Sequence, residues 1–189
     1  EELLSREIGG IANELHGRAF LPKMLNAAKA RERYHVDHIP DYDVIFIAID
    51  PNAGGESEFA IMSMLRHRGL FIIIGMETFK TKSARENHAM VLAHCKELDG
   101  TQLYQNTRKV FIIESNLGRE SEHLAATIGD NVRNHLVMNP SKDRTGFLTT
   151  NASKAMSVEK IRTMLADRSF TIADKETMVC ISYSYEKIV

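Results

Sequence analysis

DVIFIAIDPNAGGESEFAIMSMLRHRGLFIIIGM, residues 43–76, contains three apolar runs separated by two turns. Residues 43–50, 57–65 and 69–76 are rich in Ile, Phe, Val and Met, the residues that fit a pleated, half-buried surface. PNAGGES and RHRG punctuate them with Pro, Gly, Asn and Ser. Turns this short join antiparallel neighbours, so the stretch predicts a three-stranded meander. The first strand ends on Asp50. Further along, KVFIIES places Glu114 at the end of another apolar strand, 109–114. Strands normally finish in turn residues, so two acid tips put two negative charges on the rim of a sheet.

Between these strands, Ser83 with Glu86 three residues on is a capping box. The helix it opens carries Ala84, Val91, Leu92, Cys95 and Leu98 as an apolar stripe. After Glu114, Leu117, Leu124, Ala125, Ile128 and Val132 recur at helical spacing, and HLVM (135–138) is a short fifth strand. A third helix near 153–166 carries Val158, Ile161 and Leu165. The segments FTIA and TMVCISYSY are strand-like without a clear assignment. Residues 1–40 differ in character: Leu4, Ile8, Ile11, Ala12 and Leu15 are spaced helically, and Pro22 suits the first turn of a second short helix. HVDHIPDY then reads as an extended link. Residues 1–40 are therefore expected to be a helical connector, and 41–189 the main domain.

Three hairpin-linked strands followed by helix, strand, helix and strand is the order of the ribonuclease H-like fold. The predicted class is α/β, with a mixed sheet of strand order 3-2-1-4-5 flanked by helices. Strands one and four then lie side by side and parallel, about 4.8 Å apart. Asp50 and Glu114 share one rim, at the carboxyl ends where open α/β sheets place their sites. Carboxylates that close repel unless a cation lies between them or one takes a proton. Hard divalent cations choose oxygen ligands, so Mg²⁺ or Mn²⁺ resolves the repulsion.

Composition sets outer bounds. The chain has 189 residues and a formal net charge of −1, which disfavours a globally basic nucleic-acid binder. Its first residue is Glu1, so it reads as a piece of a longer protein. No apolar run is long enough to span a bilayer and no signal-peptide pattern opens the chain. Cys95 and Cys180, far apart in sequence, read as reduced thiols of an intracellular protein.

VIFIAIDPNAGGESEFAIMS (44–63) resembles the first strand and hairpin of the nuclease domain in terminase large subunits, the DNA-packaging motors of herpesviruses and tailed phages. KVFIIESNLG (109–118) is similar to that family's second acidic strand. TTNASKAMSVEKIRTMLADRSFTIAD (149–174) resembles its later helix and strand, and RAFLPKML with RERYHV looks like the connector from an ATPase half. The resemblance implies a metal-dependent endonuclease that cuts concatemeric double-stranded viral DNA, using two Mg²⁺ or Mn²⁺ ions. Asp50 would bridge the ions and Glu114 would bind one of them. The family's third carboxylate lies on a later helix, and the sequence reaches Val189 before one is evident. Asp174 sits at a strand–turn position and is left without a role, and Glu77, ending a strand about 10 Å from the first, is read as structural or as acting only behind the ligands. The implied partners are DNA, a portal and other terminase subunits, with no membrane. The implied location is the host nucleus for a herpesvirus-like protein and the host cytoplasm otherwise.

Each signal has a plainer reading. Asp50 before Pro51 also suits a turn whose side chain caps local N–H groups, and Glu114 suits a solvated strand end. Asn52, Gly54, Gly55 and Ser57 approach a phosphate in one reading and form a simple hairpin turn in the preferred one. His35 and His38 lack the cysteine partners of a zinc site. His94 is expected at the margin of its helix and Cys95 inside. Of the basic clusters (Arg66 and Arg68; Lys80, Lys82 and Arg85; Arg108 and Lys109), solvated surface is the default. Lys142, Arg144 and Lys154 are the preferred contacts to DNA phosphates. The rival functions are a resolvase- or transposase-type nuclease, a non-enzymatic docking or DNA-binding domain of the same fold, and an actin- or sugar-kinase-like nucleotide binder. The last requires a second glycine-rich hairpin, which KVFIIESNLG does not supply.

Overall fold

The computed structural model describes residues 28, 39–40, 43–51, 58–80, 83–116, 118–140 and 145–172. Apart from Ala28, the expected connector helices lie outside these residues, as do the 52–57 loop, Lys142, Arg144, Asp174 and Cys180. The described elements are β1 (Val44–Asp50), β2 (Phe59–His67), β3 (Leu70–Phe79), α1 (Ala84–Gly100), β4 (Arg108–Ile113), α2 (Arg119–Asn131), β5 (His135–Val137), α3 (Asn151–Ala166) and β6 (Phe170–Ile172).

They build one six-stranded sheet of order β5-β4-β1-β2-β3-β6. The predicted 3-2-1-4-5 order is present, with β6 added beside β3. β1 pairs antiparallel with β2 and parallel with β4, while β5 and β6 pair parallel with β4 and β3. Arg68 and Gly69 both take positive φ (49° and 79°) in the β2–β3 turn, the backbone of a two-residue hairpin whose twist matches its strands. The register slips once, between Ser63 and Met64, where β3 carries an extra residue.

Alternation along β1 sends Ile45, Ile47 and Ile49 to one face, where all are buried. Phe111 and Ile113 of β4 lie in register with Ile47 and Ile49. With Leu124 and Ile128 of α2 and Val91 and Cys95 of α1, they form the main core. On the other face, Leu165 of α3 packs with Ile73 and Phe170, and Met62, Met64 and Ile161 join the edge of that smaller cluster. Val44, Phe46, Ala48 and Asp50 point to this second side. The pleat thus puts the acid of β1 on the face that α3 covers.

Two expectations need correction. His94 is buried, not marginal: its Nε2 meets Ser63 Oγ and its Nδ1 meets Glu77 Oε1, each at 2.6 Å. Lys109 is not solvated surface; it is fully buried, and its Nζ reaches Asp99 at 2.5 Å. Odd positions of β4 face the core, so the Lys109 stem packs there and only its head escapes to a carboxylate. Cys95 is a free, buried thiol as expected, and burial pushes its pKa up to about 12.

Candidate functional site

Asp50 ends β1, and the residue facing it across the parallel pair is Glu114, whose N–H donates to Ile49 O at 2.8 Å. Asp50 and Glu114 each follow a buried isoleucine, Ile49 and Ile113, so both turn to the opposite face. Glu114 is fixed from several directions. Ser121 Oγ, fully buried at the start of α2, donates to the Glu114 carbonyl at 2.8 Å. Asn116 Nδ2 donates to Glu114 Oε1 at 2.8 Å. Beyond the strand, Glu114 pairs in parallel with Phe147, which extends the sheet by one bridge into the loop before α3.

That loop brings in α3. Thr150 caps the helix: its Oγ1 accepts from Ser153 N–H at 3.1 Å, and Ser153 Oγ accepts from Thr150 N–H at 2.8 Å. The reciprocal pair sets the first turn, which carries Lys154 toward the two acids. A cleft of about 560 Å³ opens between this turn and the sheet, with Ala48, Ala60, Met62 and Ile112 on its floor and Asp50, Glu114 and Lys154 among its lining. It closes toward the other end of α3, where Leu165 seals the helix onto the sheet.

The charges decide how the acids behave. Burial, a hydrogen bond with Glu114 and repulsion from its charge push the Asp50 carboxyl from 3.8 up to about 7, against a smaller downward pull from Lys154. Burial also acts to raise Glu114. It is outweighed by hydrogen bonds from Asp50 and Thr149 and by the Lys154 ammonium, which hold Glu114 below its ordinary value. The two therefore share one proton near neutrality, with Asp50 holding it. Asp50 is solvent-exposed as a residue; the shift reflects the protein packed around its carboxyl, not deep burial.

Asp50, Glu114 and Lys154 thus come together. Glu77 does not join them: it lies on the other face of the sheet, engaged with His94. Among the described residues no cluster of three or more His, Cys, Asp or Glu side chains assembles for a metal ion. The two carboxylates still fit a hard dication, because they offer only oxygen and carry a proton that a cation would displace. Asn116 and Thr149 were absent from the sequence-derived site. The only sequence signal was the position of Asn116, two residues past an acid-tipped strand.

The sheet order, the parallel β1–β4 pair and the flanking helices are those of a ribonuclease H-like fold. Solved structures carry the same arrangement. The chain is similar to the human cytomegalovirus terminase nuclease domain soaked with Mn, at TM-score 0.61 and 16% identity, covering 82% of this chain and 76% of that one. A second structure of the human cytomegalovirus domain gives TM-score 0.58 and 14% identity over 82% and 78%. The large terminase of a thermophilic bacteriophage gives TM-score 0.51 and 11% identity over 87% of this chain and 39% of its own. At such identities the likeness is one of fold. No protein-family model and no curated protein matches the sequence.

Proposed function

We propose that this chain is a metal-dependent DNA endonuclease domain of the terminase type, hydrolysing phosphodiester bonds of double-stranded viral DNA during genome packaging. The observation that carries the reading is the pair Asp50 and Glu114, side by side on parallel strands and facing a cleft flanked by Lys154. Asp50 and Glu114 would hold Mg²⁺ or Mn²⁺. Bound there, the cation would activate water for attack on phosphorus and stabilise the leaving oxygen.

The protein's own groups prepare the site. Asp50 must release its proton before both carboxylates can serve as ligands, so cation affinity rises with pH through about 7. Glu114, held ionised, is ready at lower pH. Lys154 draws both carboxyls toward their charged forms and offers its ammonium to a phosphate oxygen. Contacts of that kind are blind to base sequence. Lys142 and Arg144, which precede α3 in the sequence, are proposed as further phosphate contacts. A portal and other terminase subunits are the assembly partners this reading entails.

One observation favours a second reading. Only two carboxylates converge among the described residues, which suits a DNA-binding or docking domain that does not cut. Incubation with supercoiled plasmid and Mn²⁺ separates the two. Nicking that disappears on chelation and in Asp50→Ala is the expected result. Nicking that persists unchanged in Asp50→Ala would sink the nuclease reading, and DNA retention without any nicking would favour docking.

A further inference from the structure

The amide of Asn116 has every group engaged, and its partners lie on two segments far apart in sequence. One Nδ2 hydrogen goes to Glu114 Oε1 at 2.8 Å and the other to the Thr149 carbonyl at 3.3 Å. Its Oδ1 accepts from Thr149 N–H at 3.1 Å. The donors and acceptor of the amide match those of the Thr149 peptide, so its orientation is set by its partners.

Thr149 belongs to the loop that joins the sheet rim to α3. Phe147 N–H donates to Ile113 O at 2.6 Å, and Ser115 N–H to Phe147 O at 2.9 Å, seating the loop against the end of β4. Gly146 permits the approach: it takes φ +88°, and a Cβ there would collide with the Ile113 carbonyl. Asn139 Oδ1 accepts from Gly146 N–H at 3.1 Å and holds the loop from its other side. Thr150 then caps α3, and Lys154 follows within the first turn.

We infer that Asn116 is the positioning residue of the site, tying the Glu114 carboxylate to the 146–150 loop and thereby fixing the Lys154 turn relative to both acids. The inference rests on the nuclease reading for its chemistry, while the linkage itself is geometric. Without the amide, Glu114 gains rotamers, and the loop keeps its backbone bonds to the end of β4 but only the Thr149 side chain on the Glu114 carboxylate. Asn116 touches no reacting group; it acts through Glu114 and the loop. Outer partners of metal-binding carboxylates have this function generally, and their loss costs roughly 10- to 100-fold in affinity or activity.

The test measures Mn²⁺ binding by calorimetry and Mn²⁺-dependent plasmid nicking in Asn116→Ala, Gly146→Ala and the double variant, with Asp50→Asn as reference. Asn116→Ala is expected to raise the Mn²⁺ Kd and the Mn²⁺ needed for half-maximal nicking by about tenfold. Saturating Mn²⁺ should restore most of the rate. Gly146→Ala should shift the Mn²⁺ dependence in the same direction, and the double variant should be no worse than the worse single, because both act on one linkage. A wild-type Kd in folded Asn116→Ala, or fully additive losses, overturns the inference. If Asn116→Ala does not fold, Asn116→Ser replaces it, and an unchanged Kd there is equally decisive. Should Asp50→Asn itself leave Mn²⁺ binding and nicking intact, it is the nuclease reading that falls.

Discussion

A single proton governs the site at the scale of the residue. Asp50 keeps it to about pH 7 because burial and the neighbouring Glu114 both penalise its charged form. The folded state then binds more protons than the unfolded chain between the ordinary carboxylate value, 3.8, and about 7. Stability contributed here is present at the acid end of that window and declines as pH rises through it. Asp50→Asn removes the conflict. After allowance for solvent screening it is expected to stabilise the metal-free protein by about 1 kcal/mol at pH 8 and by much less at pH 5. That corresponds to roughly 2–4 °C in Tm for a chain of this size. The same variant should abolish the rise in Tm expected of the wild type with Mn²⁺. Thermal melts at both pH values, with and without Mn²⁺, check both outcomes; equal Tm differences at pH 5 and pH 8 would count against the shared proton.

Among the elements, α3 is unusual in being packed into the core mainly toward its C-terminal end. Leu165 is its one buried residue, while Ser153 and Val158 are half-buried and Met156 is largely exposed. The other end carries its capped first turn over the acids, so Lys154 is placed by the 146–150 loop and the Thr150–Ser153 cap and not by core packing. Lys154→Ala is expected to leave the fold intact. It should weaken binding to duplex DNA of any sequence and lower the slope of log affinity against log salt by about one. Fluorescence anisotropy over a salt series measures this, and an unchanged slope would remove Lys154 from the DNA surface. By contrast, α1 and α2 are bound to the sheet along their buried stripes, and α1 adds a polar fastening through His94.

In the molecule as a whole, the two faces of the sheet do different work. The α1–α2 face holds the main core and the set Ser63, His94 and Glu77, of which Ser63 and His94 are buried. These three have the residue types of a hydrolytic triad, yet Ser63 is 1% exposed and turned away from the cleft. Their function is to fasten α1 to β2 and β3. Ser63→Ala leaves a buried imidazole nitrogen without its partner and is expected to cost about 1–3 kcal/mol. Mn²⁺ affinity should not change, since the site lies on the other face. Urea melts together with Mn²⁺ titration test the separation; a loss of metal binding without a loss of stability would contradict it.

How much of this was legible beforehand follows from the range of each interaction. Strands β1 to β5 and all three described helices could be read locally, because alternation, caps and turn residues act over a few positions. The adjacency of Asp50 and Glu114 also followed, since strand order turns two local endings into one rim. Asn116, Gly146 and the placement of Lys154 could not be read, because a tie from residue 116 to residue 149 leaves no periodic trace. Nor could the burial of His94 and Lys109, whose polar heads are satisfied by Ser63, Glu77 and Asp99 on other elements. The sequence by itself determined five strands, their order and the two acid tips, through hydrophobic alternation and turn chemistry, while the place of β6 beside β3 came from the structure. Only the tertiary structure decided that Asp50 keeps a proton, that an amide fixes Glu114 and that an ammonium stands over both. Those outcomes depend on distance and shielding in three dimensions, which neighbours in sequence do not set.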